Sequence, residues 1–200
     1  MNNTTGLGLL IVVSGPSGVG KGTVCKALLD REKDTVLSVS ATTRSPRPMD
    51  VDGQTYHFLT REDFLSRREQ GEFLEWAEVY GNFYGTLRSE VERLQKEGKN
   101  VILEIDTQGA MQIKKAYPQS LLVFILPPSL EELRARIVGR GTESQEVLNL
   151  RLSKAQEEIS MSPHYDFSLV NDEVDRTAEE LAEFIRAERI RRSKEDNFAE

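Results

Sequence analysis

Gly15-Pro16-Ser17-Gly18-Val19-Gly20-Lys21-Gly22-Thr23 lies between an apolar run and an amphipathic one. Upstream, Leu9-Leu10-Ile11-Val12-Val13 is a short continuous apolar segment, as expected of a buried strand. Downstream, Val24, Ala27 and Leu28 fall on one helical face. Strand, glycine-rich turn with lysine, then helix is the context that makes G-x-x-x-x-G-K a phosphate-binding loop. Glycines let backbone N–H groups converge on an anion with no side chain in the way. The helix N-terminus adds partial positive charge, and Lys21 a mobile full charge for the outer phosphates. The plain alternative is an ordinary strand-to-helix turn, which the placement of the whole motif disfavours.

Around that loop, 200 residues suit one α/β domain with small inserted subdomains. With 38% hydrophobic and 30% charged residues the chain can build a core. A net charge of −7 argues against non-specific nucleic-acid binding and leaves basic residues to be few and local, as for a small phosphorylated ligand. The one cysteine, Cys25, excludes an intrachain disulfide, fits a reducing compartment, and reads as core filler. No apolar run is long enough for a membrane span, and residues 1–8 do not resemble a signal peptide, so the expected setting is cytoplasmic.

Four apolar runs, residues 9–13, 101–105, 121–126 and 167–170, predict buried parallel strands. Ser89 with Glu92 predicts a capping box, and Gly98 the end of that helix. Pro127-Pro128 ends the third strand. Leu130, Leu133, Ile137 and Val138 have helical spacing, as do Leu148, Leu152, Ala155 and Ile159. Thr177 with Glu180 predicts the cap of a last helix bearing Leu181, Phe184, Ile185 and Ile190, with a frayed tail from Arg191. Strands alternating with helices imply a parallel sheet covered on both faces.

Residues 38–90 break this rhythm. Short strands are expected at 36–39 and 55–59, a proline- and glycine-rich stretch at 44–53, and a helix from Thr60. Phe73-Leu74-Glu75-Trp76 and Tyr80-Gly81-Asn82-Phe83-Tyr84-Gly85 complete an insertion with its own small sheet. A second irregular patch spans 136–151, centred on Gly139-Arg140-Gly141-Thr142.

A phosphoryl-transfer enzyme holds donor and acceptor in line, neutralises the charge on the moving group and excludes water. One insertion can hold the acceptor, and the other, with Arg136, Arg140 and Arg151, can close as a lid. No Ser-His-Asp set or metal-ligand cluster is evident, and His57 and His164 stand alone. Arg44 and Arg47 lie three apart on a proline-stiffened loop, able to fork onto one phosphate. Glu104 and Asp106 alternate along a strand near its C-terminal end, where open α/β sheets bind ligands, suited to Mg²⁺ through water or to nucleotide hydroxyls.

Residues 15–23, Ser40-Ala41-Thr42-Thr43-Arg44-Ser45-Pro46-Arg47, Gly53 through Tyr56, Glu72-Phe73-Leu74-Glu75-Trp76-Ala77, Tyr84-Gly85, Glu104-Ile105-Asp106-Thr107-Gln108-Gly109 and Gly139-Arg140-Gly141-Thr142 together resemble the guanylate kinase family. The resemblance covers residues 7–188, in family order and spacing. It implies a P-loop-type α/β fold and the reaction ATP + GMP giving ADP + GDP, with Mg²⁺ as cofactor. It also implies a core (1–37, 91–130 and 164–200), a GMP-binding subdomain (38–90) and a lid (131–163). It assigns catalysis to Lys21, Arg44, Arg140 and Arg151, and ATP binding to the loop 15–23 with Arg136 and Asn171, beside Asp172. GMP falls to Ser40, Arg44, Arg47, Tyr56, Glu75, Tyr84, Thr86 and Asp106.

Guanine presents N1–H and N2–H₂ donors that a carboxylate such as Glu75 accepts together, whereas adenine turns a lone pair towards it. One departure concerns the metal. The common phosphate loop has Ser or Thr directly after Lys; this chain has Gly22, then Thr23, as adenylate kinases do. Mg²⁺ is then expected to be held mostly by phosphates and waters, near Thr23, Glu104 and Asp106. The expected partners are ATP and GMP, with no nucleic acid or membrane, and a monomer or weak homo-oligomer. The rival readings are a kinase for another monophosphate, chiefly AMP, and an inactive guanylate-kinase-like interaction module.

Overall fold

A computed structural model describes residues 7–79, 81–138 and 145–198. In chain order the elements are β1 (Leu10–Ser14), α1 (Lys21–Arg31), β2 (Thr35–Leu37), β3 (Ala41–Thr42), β4 (His57–Phe58), α2 (Arg61–Glu69), β5 (Phe73–Val79), β6 (Asn82–Leu87), α3 (Arg88–Lys96), β7 (Asn100–Glu104), α4 (Thr107–Ala116), β8 (Leu121–Leu126), α5 (Leu130–Val138), α6 (Gln145–Ser160), β9 (Phe167–Val170) and α7 (Val174–Phe198). A single 3₁₀ turn, Ser162–His164, precedes β9.

Five strands form a parallel sheet in the order β2-β7-β1-β8-β9. Four were expected from their apolar runs. The fifth, β2, is the short strand expected at 36–39; it lies at Thr35–Leu37 and pairs with β7 as an edge strand of this sheet, not as part of the insertion. Successive residues of β1 point to opposite faces, as the pleat requires. Ile11 and Val13 pack with Val24, Cys25 and Leu28 of α1, Leu133 and Ile137 of α5, and Leu181 and Ile185 of α7. Leu10 and Val12 pack with Val91 of α3 and with Ala110 and Ile113 of α4. Both faces are therefore covered, as a parallel sheet demands. Cys25 is fully buried and its thiol is pushed up by that burial, which makes it inert filler.

The insertion builds a second sheet in the order β4-β3-β6-β5. Its core is Ala41, Phe64, Phe73 and Phe83, with Phe64 stacked between Phe73 and Phe83 at centroid separations of 4.3 and 5.3 Å. Thr60 caps α2 by accepting from the Asp63 N–H. Leu74 of β5 belongs instead to the core cluster beneath α3 and α4, which ties the small sheet to the large one.

Several local expectations are corrected. The first residue of α3 is Arg88, after Leu87, with no side-chain cap, so Ser89 and Glu92 form no capping box. Gly98 does follow its last turn at φ 77°. The last helix begins at Val174; Thr177 lies inside it and donates back to the Glu173 carbonyl at 2.9 Å. The stretch from Arg191 stays helical to Phe198, where Arg191 pairs with Glu188 and Glu195. The patch 136–151 is helical up to Val138 and again from Gln145, and Leu133, Ile137, Leu148 and Ala155 all enter the main core. Gly139, Arg140, Gly141 and Thr142 lie outside the described residues, as does Tyr80.

Candidate active site

β1 and β7 are neighbours, with Val13 opposite Glu104. The connection after β1 runs to β2 on one side, while that after β7 crosses to β8 on the other. This is the switch point at which open parallel sheets form a crevice. A cleft of about 630 Å³ opens there, lined by the loop from Gly15 to Thr23 on one wall and by Ser40, Tyr56, Glu75 and Tyr84 on the other. Glu104, Asp106, Arg151, Lys154 and Glu158 complete it.

The loop is held from beneath. Gly20, at φ 99°, begins α1 in the left-handed region, and a Cβ there would stand 2.7 Å from Asn171 Nδ2. Asn171, buried, donates to the Val19 carbonyl at 2.8 Å, and Arg136 donates to the carbonyls of Val19 (3.2 Å) and Asn171 (3.0 Å). Arg136 is therefore a brace of the loop, on a helix whose inner face is core. A smaller cleft of about 350 Å³ runs behind, between Gly18, Val19, Gly20, Thr23, Arg136, Asn171 and Asp172.

Lys21 Nζ donates to the carbonyls of Gly15 (2.6 Å) and Pro16 (3.3 Å). Burial lowers its pKa, opposed by the carboxylates of Glu104 and Glu158. Burial in turn raises Glu104 and Glu158, opposed chiefly by Lys21. Arg151 Nη2 donates to Ser17 Oγ at 3.0 Å, so α6 touches the loop directly.

Across the cleft, Glu75 is buried in β5 and its Oε1 accepts from Thr86 Oγ1 at 2.7 Å. Burial lifts its pKa to about 7; Thr86 pulls the other way and Asp106 adds to the rise. Sequence reasoning paired Glu75 and Thr86 with one ligand, and the fold brings them into contact. It placed Asp106 on a strand beside Glu104; Asp106 is instead the N-cap of α4, accepting from the Gly109 N–H at 2.8 Å. Both residues still line the cleft.

Arg44 and Arg47 sit on the loop after β3. Arg44 lies over the rings of Tyr56 (5.3 Å) and Phe58 (5.7 Å), and Tyr56 meets Tyr84 edge-on at 6.0 Å. Arg47 is exposed, with its backbone N–H on Asp50. His57 pairs with Glu90 at 3.4 Å, outside the cleft lining. Arg140 lies outside the described residues.

Three contributors were missed. Gly109 packs so tightly on Glu75 that a Cβ there would lie 2.5 Å from Oε2; a glycine inside a helix was the sequence cue. Glu158 and Lys154 lie on a charge-rich helix where a buried acid looks like any solvated one.

A glycine loop at the switch point of a parallel sheet, facing a second nucleotide-sized wall, defines a P-loop nucleotide-binding protein. The profile of the family described as guanylate kinase matches residues 8–188. Guanylate kinases of Clostridium perfringens strain SM101 and Caldanaerobacter subterraneus subsp. tengcongensis are 52% and 51% identical over 184 residues, covering 92% of this chain and 85% and 89% of theirs. The crystal structure of guanylate kinase from Anaplasma phagocytophilum matches with TM-score 0.77 and 38% identity, covering 92% of this chain and 88% of that one. The chain belongs to the guanylate kinase family.

Proposed function

We infer that the two walls of the cleft are the two substrate sites of an ATP-dependent GMP kinase, working as ATP + GMP giving ADP + GDP. The buried Glu75–Thr86 pair opposite the phosphate loop carries this reading. An ionised Glu75 accepts from guanine N1–H and N2–H₂ while Ser40 donates to O6, and Thr86 either keeps its hydroxyl on Glu75 or turns it to O6. Adenine, with an acceptor at N1, would set a lone pair against the buried carboxylate. Arg44, Arg47, Tyr56 and Tyr84 are then the clamp for the GMP phosphate.

ATP lies along the loop, with its phosphates on the backbone N–H groups and the smaller cleft beside Asn171 and Asp172 for the adenine. Lys21 leaves the loop carbonyls to follow the β- and γ-phosphates. Arg151, and Arg140 from the sequence, neutralise charge on the group in transit. The acceptor oxygen is already anionic, so no general base is required. Glu104 stands 3.4 Å from where a Cβ at Gly22 would sit, and among the described residues no three His, Cys, Asp or Glu cluster as a metal site. These residues fit a cation held through ATP phosphates and water, with Glu104 and Asp106 accepting from its waters. When bound, Mg²⁺ would supply charge neutralisation to the phosphoryl group in transit. The lone buried cysteine suits the cytoplasmic setting expected for such an enzyme.

The test is Glu75→Gln assayed with both monophosphates. GMP kcat/KM should fall by about 10²–10³-fold while AMP use changes little. An unchanged GMP-to-AMP ratio would refute guanine reading by Glu75.

A further inference from the structure

Arg44 is held in place before any ligand arrives. Its Nη2 pairs with Asp50 Oδ2 at 2.9 Å, its Nη1 donates to the Ser45 carbonyl at 2.8 Å, and its face lies on Tyr56 and Phe58. Its side chain is 14% exposed and that of Asp50 is 9% exposed, on a loop whose neighbours are mostly open. The same Asp50 oxygen accepts the Arg47 backbone N–H at 2.7 Å, and the Asp50 N–H returns to the Arg47 carbonyl at 2.9 Å. The turn 47–50 is thus closed from both sides. Further bonds, Gly53 N–H to the Tyr56 carbonyl at 2.8 Å and Phe58 N–H to Asp52 at 3.0 Å, bring the ring of Tyr56 back under Arg44.

We propose that Asp50 is a positioning residue that orients Arg44 and the Arg47 turn for the acceptor phosphate, a role that rests on reading Arg44 as a ligand of that phosphate. A guanidinium has five N–H groups. Asp50 and the Ser45 carbonyl each take one, the two rings fix the plane, and three remain to bind an anion in a set direction. Preorganisation of this kind strengthens binding because less side-chain freedom is lost when the ligand arrives. The Arg47 N–H first, and Arg44 as well, hold the Asp50 carboxyl below the usual carboxylate range, so it keeps its charge throughout the neutral range. The opposing possibility is that Asp50 merely fills the phosphate's place. The two differ in sign: a positioning carboxylate strengthens phosphate binding, and a stand-in weakens it.

The experiment compares Asp50→Ala, Asp50→Asn and Arg44→Ala by calorimetric titration with GMP and with guanosine, alongside KM and kcat. Asp50→Ala should raise Kd and KM for GMP about tenfold, with guanosine Kd and the KM for ATP unchanged. Asp50→Asn keeps an oxygen that accepts from both N–H groups and should lose only about threefold. In the Arg44→Ala background, Asp50→Ala should cost clearly less than it does alone, since only its hold on the Arg47 turn is left to lose. GMP binding that is unchanged or tighter in Asp50→Ala overturns the proposal, as does a full additional loss in the Arg44→Ala background. If Asp50→Ala loses guanosine binding too, Asp50→Asn decides: weaker GMP supports positioning, unchanged or tighter GMP overturns it. Arg44→Ala separates the levels. If it leaves the preference for GMP over guanosine intact, the phosphate-clamp reading itself fails. If it abolishes that preference while Asp50→Ala does not weaken GMP, only the role of Asp50 fails.

Discussion

Ionising Glu75 in the ligand-free protein costs on the order of 3 kcal/mol more than ionising a solvated carboxyl, since burial lifts it from 4.5 to about 7. A folded-state value above the unfolded one means the stability this group contributes is fully present below about pH 4.5 and is lost as pH rises through about 7. Guanine favours the opposite, ionised form. Guanosine, which has no titrating phosphate, should therefore release a proton on binding at about pH 6.5 and none above about pH 8. Its affinity should fall about tenfold per pH unit well below 7. Titrations in buffers of different ionisation enthalpy would read both effects, and Glu75→Gln should abolish them. On the other wall, Lys21→Ala should lower kcat by about 10²–10³-fold, the scale for one donor aimed at developing charge; near-normal turnover would remove Lys21 from that role. Lys21 stood out in the sequence by its glycine-rich loop, whereas Glu75 and Thr86 were singled out only through the family resemblance. Asp50 and Glu158 were not singled out at all, because an acid gains its role from what surrounds it, and surroundings are long-range.

The helix α4 is the element that aims Glu75. Gln112 exchanges hydrogen bonds with the Trp76 backbone at 3.3 and 2.8 Å, and Gly109 lets the helix pass against the carboxylate. Gly109→Ala should raise KM for GMP at least about tenfold and leave ATP affinity unchanged, because the added methyl must push Glu75 aside. Separate binding titrations with each nucleotide would check this, and equal losses for both would point to general disruption. Helix interiors were readable from apolar spacing, as were the start at Thr60 and the stop at Gly98, but other ends were not. Ser89 and Glu92 have the spacing of a capping box, yet α3 starts where β6 ends, before Ser89 can cap it. The polar end of α7 looked frayed, yet ion pairs along Arg191, Glu188 and Glu195, and a bond from Arg192 to the Gln119 carbonyl, support it. Such pairs follow charge order, which hydrophobic periodicity does not register.

At the scale of the molecule, alternating apolar runs and helical stripes were enough to indicate a parallel sheet with both faces covered. The proline- and aromatic-rich break after residue 38 was enough to indicate an inserted sheet. The stripes that become the core faces of α5 and α6 were legible too, and so was a short strand near 36–39; what was not legible was that this strand joins the edge of the large sheet, since its pairing partner lies far along the chain. Those core faces bear on motion. Leu133, Ile137, Leu148 and Ala155 anchor both helices, and Leu74 and Gln112 anchor β5, so closure should bring together the outer loop near Met49 and the exposed side of α6 near Leu150. Spin labels at those two exposed positions should come closer when ATP analogue and GMP are both bound, and a distance that does not change would argue against closure. The central claim is that one wall of this cleft takes ATP and the other takes GMP. It is tested most directly by ADP release, measured with ATP and Mg²⁺ in the presence of GMP, AMP, CMP or UMP in turn. ADP release that depends on GMP and exceeds that with AMP by at least about 10²-fold is the predicted result. Release that is independent of the monophosphate, or equal with AMP, would contradict it.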